Sequence, residues 1–569
     1  MERSGLQRIL LMAALFFGVF FIFKSCTGKS DKPAVELVKD YTDKLPLPAG
    51  VDPGEACAID TAQFRAEVAA SGGGLSLFQL KGPKYTEAGA PIDLAQRTTQ
   101  DHQKNRFYDF APLRAFFRTD PSQGQVPGDV VAFSTKKVGG GCELRHVTPG
   151  VVEIVRTLQP GPRPYELEVV TTVKNLGKDR KKHAFSTALF ALQFKSEEGG
   201  MFSRPSPNGT FTGACTEGGK AERRDRSNAT KDWLIKGGNV DFAGISSNYI
   251  GQALVPDAGS GARCALLGQE RGTGDAEQVL FRAYLAWPDR ELAENESATY
   301  RHLAYLGPKD RDVLAAAAGG RHLDQLIDLG TFASIAKLLV RFLGFMHGLT
   351  GSWGIAIILL TVGVRTILMP LMIPQIRSSL AMRRLKPDLD LINLKFADDP
   401  QAKMLATSQL YKKNNVQPLL GCLPALLQMP VWFALYTSLQ TAMELYHEKF
   451  AFWPDLSAPD HRYILPLVLG ATMFVQQKVT PMQMEPAQQK MMLYFMPAMF
   501  TVFMLFLPAG LGVYMLTNSL LAIVQTVAVE RYYQSVGGDG GGAAGVVVKV
   551  TPSGKEPRPA RELARKGDG

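Results

Sequence analysis

The chain has 569 residues, 46% of them hydrophobic, with a formal net charge of +10. That length holds several domains with sizeable cores. The positive charge arises without any basic run interleaved with aromatics, which argues against a nucleic-acid binder, and the six cysteines form no CxxC or Cys/His cluster of the kind zinc requires.

In chain order, residues 9–23 are uninterruptedly apolar and follow Arg3 and Arg8. Fifteen residues is short for a membrane span, but Leu6 and the snorkelling ends of Arg8 and Lys24 extend it. No A-x-A-like cleavage site follows, so 1–26 reads as a cytoplasmic N-terminus with an uncleaved anchor helix. Residues 27–54 are polar with prolines and read as a linker.

Residues 55–330 carry short strand-like runs bounded by glycine and proline. Leu75 to Leu80 lies between Gly72-Gly73-Gly74 and Gly82-Pro83. Tyr165-Glu166-Leu167-Glu168-Val169 alternates apolar and polar and continues through Val173 to an Asn175-Leu176-Gly177 turn, and Thr299 to Leu306 is similar. This spacing predicts an all-β sandwich. Cys57, Cys142, Cys215 and Cys264 fit two disulfides in an oxidising compartment. Four cysteines allow three pairings, and chain order favours Cys57–Cys142 with Cys215–Cys264. His102, His146, His183 and His302 are scattered without nucleophile or metal spacing, so no catalytic site is expected.

Residues 331–349 place Ile335, Leu338, Leu339, Phe342, Leu343 and Met346 at helical spacing, which predicts an amphipathic helix on a membrane surface. Within 350–534, five apolar segments near span length follow, at about 353–373, 420–443, 463–477, 491–507 and 511–529. Lipid-facing backbone must bond internally, so these are expected to be helices. Pro508-Ala509-Gly510 predicts a tight turn.

Loop charges set the orientation. Residues 377–413 carry Arg377, Arg383, Arg384, Lys386, Lys395, Lys403, Lys412 and Lys413, whereas 444–462 has only Lys449 and Arg462 against four carboxylates. The first loop is therefore expected in the cytoplasm as a helical hairpin broken at Pro387, and the second outside. Both termini then face the cytoplasm and the β domain lies outside. Residues 535–569 read as a disordered basic cytoplasmic tail.

Arg365 sits in the middle of an apolar segment, where an arginine costs roughly 2.5–3.5 kcal/mol on insertion scales. No Asp or Glu lies deep in the other segments, so a wet cavity is expected around its permanent charge. Thr361, Gln428, Thr472, Gln476, Thr517, Asn518 and Gln525 are candidate lining groups; each also fits a plain helix–helix hydrogen bond. A fixed positive charge without an acidic relay argues against proton-coupled transport, and no phosphate-binding G-x-x-x-x-G-K-[ST] motif occurs.

Four motifs carry a family resemblance: Gly363-Val364-Arg365-Thr366-Ile367-Leu368-Met369-Pro370-Leu371, Gly421-Cys422-Leu423-Pro424-Ala425-Leu426-Leu427-Gln428-Met429-Pro430-Val431, Tyr463-Ile464-Leu465-Pro466-Leu467 and Phe506-Leu507-Pro508-Ala509-Gly510-Leu511. Together they resemble the YidC family of membrane protein insertases, from about residue 332 to 533. The resemblance implies a multi-domain integral membrane protein of the bacterial inner membrane. It implies an α-helical five-span core plus an N-terminal anchor, with an all-β supersandwich periplasmic domain. It further implies a hydrophilic groove containing Arg365, with Thr361 and Met515 flanking the path of a substrate helix. The family usually has an aromatic residue at the position of Met515. Implied partners are nascent membrane proteins, the lipid bilayer, the Sec translocon, the ribosome and the signal-recognition targeting machinery; no cofactor is implied. The alternatives from the residues themselves are a transporter with a periplasmic binding domain and an anchored carbohydrate-active enzyme.

Overall fold

The computed structural model describes residues 57–536 apart from 71, 88, 96–99, 102–105, 108–110, 119–128, 195–209, 231–233, 272–277, 397–398, 415–422 and 480–490. The expected anchor 1–26, linker 27–54, His102 and almost all of the tail 535–569 lie outside the described residues. The chain forms two compact units, one of Met1–Thr361, Leu427–Gly470 and Ala498–Leu516, the other of Val362–Leu426, Ala471–Pro497 and Thr517–Gly569.

The first unit is dominated by antiparallel sheet. A nine-stranded sheet runs in the spatial order Ser134–Val138, Gly141–Thr148, Val152–Pro160, Glu166–Asn175, Ser297–Pro308, Ile250–Pro256, Val240–Ser246, Thr212–Glu217 and Lys220–Arg224. A seven-stranded sheet is ordered Leu234–Lys236, Arg263–Arg271, Gln278–Ala286, Lys181–Phe194, Arg114–Arg118 and Asp129–Val130, with Arg290–Leu292 also pairing Lys181–Phe194. The sheets pack together where Val240–Ser246 meets Arg263–Arg271 and Gln278–Ala286. The three strands Val240–Ser246, Ile250–Pro256 and Gln278–Ala286 are buried at every position. Burial on both faces removes the period-two alternation from them, and the few polar residues they carry, such as Asp241, Gln252 and Arg282, are buried as well. Phe116, Phe190, Leu192, Leu280 and Tyr284 form a buried cluster on the seven-stranded sheet.

A third sheet, Cys57–Asp60, Phe64–Val68 and Leu75–Leu80, is held by the disulfide Cys57–Cys142 to the nine-stranded sheet. Cys215–Cys264 joins the two large sheets across the sandwich. The bridges close separations of 85 and 49 residues, worth about 4 kcal/mol each in the chain-entropy account. Gly72 and Gly73 turn the chain at φ +70° and +59°, and a Cβ on Gly73 would come within 2.9 Å of Leu144 and 3.0 Å of Phe133. Both the backbone angle and the space require glycine there.

Helix α1, Ala333–Thr350, follows the β region. The expected single apolar stripe is split. Ala336, Leu339 and Leu343 are packed, whereas Leu338, Phe345 and Leu349 are at least 60% exposed. Helix α2 spans Trp353–Arg384, so the span and the first arm of the hairpin are one continuous helix. The break falls at Leu385, and Pro387 sits in the first turn of α3, Lys386–Lys395, where its missing N–H costs nothing. Helix α4, Pro400–Lys413, is capped by Asp399, which accepts from the Gln401 and Ala402 amides at 3.0 Å. Helices α5 (Leu423–Gln440), α6 (Ile464–Val479), α7 (Met496–Met504, preceded by a π turn at Met491–Phe495) and α8 (Ala509–Val536) occupy the other four apolar segments. Among the described residues, two helices are long and apolar enough to cross a membrane, over Trp353–Pro370 and Ala509–Tyr532.

Within the first unit, residues 444–462 are tied to the β region. Arg311 pairs with Glu444 at 2.6 Å, with both side chains mostly shielded. Lys84 donates to the Glu444 carbonyl at 2.9 Å, the Tyr446 hydroxyl to the Thr86 carbonyl at 3.1 Å, and Tyr446 packs on Tyr249. Asp460 caps α6 by accepting from Leu465 N at 2.7 Å and Arg462 N at 2.9 Å. Burial raises its carboxyl, but these donated N–H groups outweigh that and leave it below the usual aspartate value.

A buried polar row crosses the nine-stranded sheet. Arg156 is opposite Thr171, and Thr171 is opposite Tyr300, with His302 two residues on. Arg156 donates to the Leu113 carbonyl at 2.7 Å. Burial first, and the Arg156 charge second, hold His302 well below the ordinary histidine value; burial similarly lowers His183. Their folded values lie below the unfolded value of about 6.5, so protons are taken up on unfolding as pH drops below it. Stability of the full chain in detergent, followed by near-ultraviolet circular dichroism, is expected to fall as pH is lowered from 6.5 to 5.5. His302→Leu should remove part of that slope. An unchanged slope would show that His302 does not contribute to it.

Candidate functional site

An apolar helix tolerates arginine only where the guanidinium finds partners, since it does not give up its charge. Arg365 lies on α2 with only 5% of its surface exposed. Its Nε donates to Asn518 Oδ1 at 2.7 Å, and its Nη1 to Gln525 Oε1 at 3.1 Å, with Met372 Sδ 3.6 Å from the same nitrogen. Asn518 and Gln525 are seven residues apart on α8, two turns along one face. Both amides thereby present oxygens to one guanidinium. Met372 is likewise two turns beyond Arg365 on α2.

These three partners are neutral. The apolar stretches 353–373, 423–440, 464–479, 491–504 and 509–529 contain no Asp or Glu. These contacts orient the guanidinium. It can attract an anionic or strongly dipolar group, and it offers no nucleophile or general base.

The other expected residues fall as follows. Thr361, one turn before Arg365 on α2, is buried and donates its hydroxyl to Ile357 O at 2.7 Å. Met515 is buried on α8. Thr472 and Gln476 are half-buried on α6. Gln428 is on α5 and Arg383 on α2, with side chains outside the described residues. Arg384, Lys412 and Lys413 are exposed at the hairpin. Thr361, Gln428 and Met515 belong to the first unit, and Arg365, Thr472, Gln476 and Asn518 to the second. Of these, the structure brings Arg365 and Asn518 into direct contact. Gln525 was a general candidate, and its pairing follows from the seven-residue spacing to Asn518. Met372 was not anticipated, because a thioether beside a cation carries no spacing signature.

At the level of whole domains, two family profiles match the chain. One is described as the YidC periplasmic domain and covers residues 56–342; the other, the 60Kd inner membrane protein, covers residues 345–536. The membrane protein insertase YidC of Anaeromyxobacter dehalogenans strain 2CP-C is 33% identical over 91% of this chain and 96% of that protein. The same-named protein of Anaeromyxobacter sp. strain K is 32% identical over 85% and 86%. That of Citrifermentans bemidjiense is 30% identical over 93% and 99%. With identity sustained over nearly the full length of both chains and across both domains, this chain belongs to the YidC family of membrane protein insertases.

Proposed function

We propose that this protein integrates newly made proteins into the bacterial inner membrane, and that Arg365 lines a hydrophilic groove through which their polar tails pass. The observation that carries this reading is a shielded guanidinium held by neutral amides in otherwise apolar helices. A tail carrying Asp or Glu enters at lower cost when a fixed cation awaits it. Two unit charges 4 Å apart attract by about 1 kcal/mol in water and about 4 kcal/mol at an effective dielectric of 20. The apolar segment then moves into lipid, driven by its own transfer free energy.

The proposed topology has five core spans and an anchor, both termini and the 377–413 hairpin in the cytoplasm, and the β domain, as a supersandwich, in the periplasm. The ties between 444–462 and the β region support placing both on one side. The exposed Leu338, Phe345 and Leu349 on α1 support its lying at the membrane surface. The ribosome, the Sec translocon and the targeting machinery are proposed as partners at the cytoplasmic face. The transporter reading is not favoured, because the relatives are named as insertases.

Two measurements bear on this. Cysteines placed at Lys412 and Lys413 in intact spheroplasts should resist a membrane-impermeant maleimide, and labelling from outside would overturn the topology. In proteoliposomes, Arg365→Ala should reduce the protease-protected yield of a substrate with an acidic tail by about tenfold, equivalent to ~1.4 kcal/mol. A matched substrate with an uncharged tail should be much less affected, and Arg365→Lys should retain most insertion of both. Equal losses for both substrates, with lysine as harmful as alanine, would make Arg365 a structural residue.

A further inference from the structure

Lys309 follows the long strand Ser297–Pro308 and turns its side chain inward, leaving the residue only 3% exposed. Its Nζ donates to the Ser247 carbonyl at 2.7 Å, and its backbone N–H to the Tyr249 carbonyl at 2.7 Å. A lysine tied down at both ends in this way is an expensive way to fill space, since an ammonium is costly to bury. One hydrogen bond to a carbonyl uses one of its three donors.

Lys309 lines a cavity of about 220 Å³ whose walls come entirely from the first unit. The strands of the nine-stranded sheet supply Arg223 and Ser246, the segment before α1 supplies Asp328, and the end of α5 supplies Thr437 and Gln440. Arg223 is fixed by donating to the Gln325 carbonyl at 2.6 Å. Thr437 donates to the Leu329 carbonyl at 3.2 Å, which joins α5 to the opposite wall. The lining therefore has two cations, one carboxylate, and several hydroxyl and amide donors.

We propose that this cavity is a binding site for a small oxyanion, with Lys309 and Arg223 as its charged donors. An oxyanion would accept the remaining ammonium N–H groups, compensate a buried positive charge, and sit where the β region meets the end of α5. The chemistry is shared by a free sulfate-like anion and by the carboxylate of an acidic side chain on a passing chain. The inference does not depend on the role given to Arg365.

Occupancy depends on the charge state of Lys309. Burial, the dominant cause, pushes its ammonium down to about 7; Asp328 acts the other way, and Arg223 and Arg311 add to the depression. Arg311 is itself paired with Glu444. The folded value lies below the unfolded lysine value of about 10.4, so the protonated, anion-binding form grows as pH falls through 7. Between pH 8 and pH 6 the protonated fraction rises about tenfold.

The test is equilibrium dialysis of radiolabelled sulfate against the purified full-length protein in detergent, at constant ionic strength made up with chloride. Saturable binding about tenfold tighter at pH 6 than at pH 8, lost in Lys309→Met with near-ultraviolet circular dichroism unchanged, is the expected result. Asp328→Asn serves as a second variant: it removes the group that holds the Lys309 ammonium up, so the pH profile of binding should move to lower pH. Competition by N-acetyl-aspartate amide would assign side-chain carboxylates as occupants, whereas sulfate binding without competition would restrict the site to free oxyanions. No saturable sulfate binding at pH 6, or binding undiminished in a folded Lys309→Met protein, would overturn the proposal.

Discussion

The organising constraint is one permanent positive charge placed within an apolar helix long enough to cross a membrane. Arg365 cannot shed its proton, and the helices around it supply no carboxylate along their apolar stretches. What they supply is a pair of amide oxygens on one face of α8, at 2.7 and 3.1 Å. These amides fix the geometry of the guanidinium. A carboxylate in the same place would have fixed geometry and neutralised the charge, and an empty apolar pocket would have made the helix costly to insert. The position of the guanidinium is thus set by side chains two turns apart on α8.

A second constraint acts in the first unit. A large β region attached to helices could swing freely, but residues 444–462 are bonded to it by an ion pair, two backbone acceptors and a pair of tyrosine rings. The same loop gives the carbonyls of Leu456 and Ala458 to the amides of Gly510 and Ala509, at 2.8 and 2.7 Å. Those are among the first N–H groups of α8, which have no partner within the helix. One loop therefore caps a helix that carries Asn518 and Gln525 and also holds the β region. The Arg311–Glu444 pair is shielded, so removing either partner would leave a poorly solvated charge behind.

Much of this was legible in the sequence. Apolar runs at span length marked the five helical segments, and strands such as Leu75–Leu80 and Glu166–Asn175 followed from alternation and flanking turns. Arg365 was legible because charge in an apolar run is rare. The family motifs then carried what spacing could not. Other features were hidden for physical reasons. Val240–Ser246, Ile250–Pro256 and Gln278–Ala286 are buried on both faces, so period-two patterning is absent there. The continuation of α2 to Arg384 runs through Pro370 and Pro374 at the end of the apolar run, so proline and a polarity change together looked like an element boundary. Lys309 gave no signal: a single lysine after a strand reads as surface, and only the tertiary packing of Arg223, Asp328 and α5 around it makes it interior.

The central claim is that the charge of Arg365 acts through water on incoming anionic groups. The most direct measurement keeps Arg365 and places a cysteine at Gln476 on α6. Its labelling rate in inverted membrane vesicles is then compared for an anionic and a cationic methanethiosulfonate reagent of similar size. The account predicts that both reagents reach it, that the anionic one reacts several-fold faster, and that this preference collapses when Arg365→Ala is added. Labelling by a lipid-soluble maleimide alone, with neither charged reagent reacting, would contradict a water-filled surrounding for Arg365.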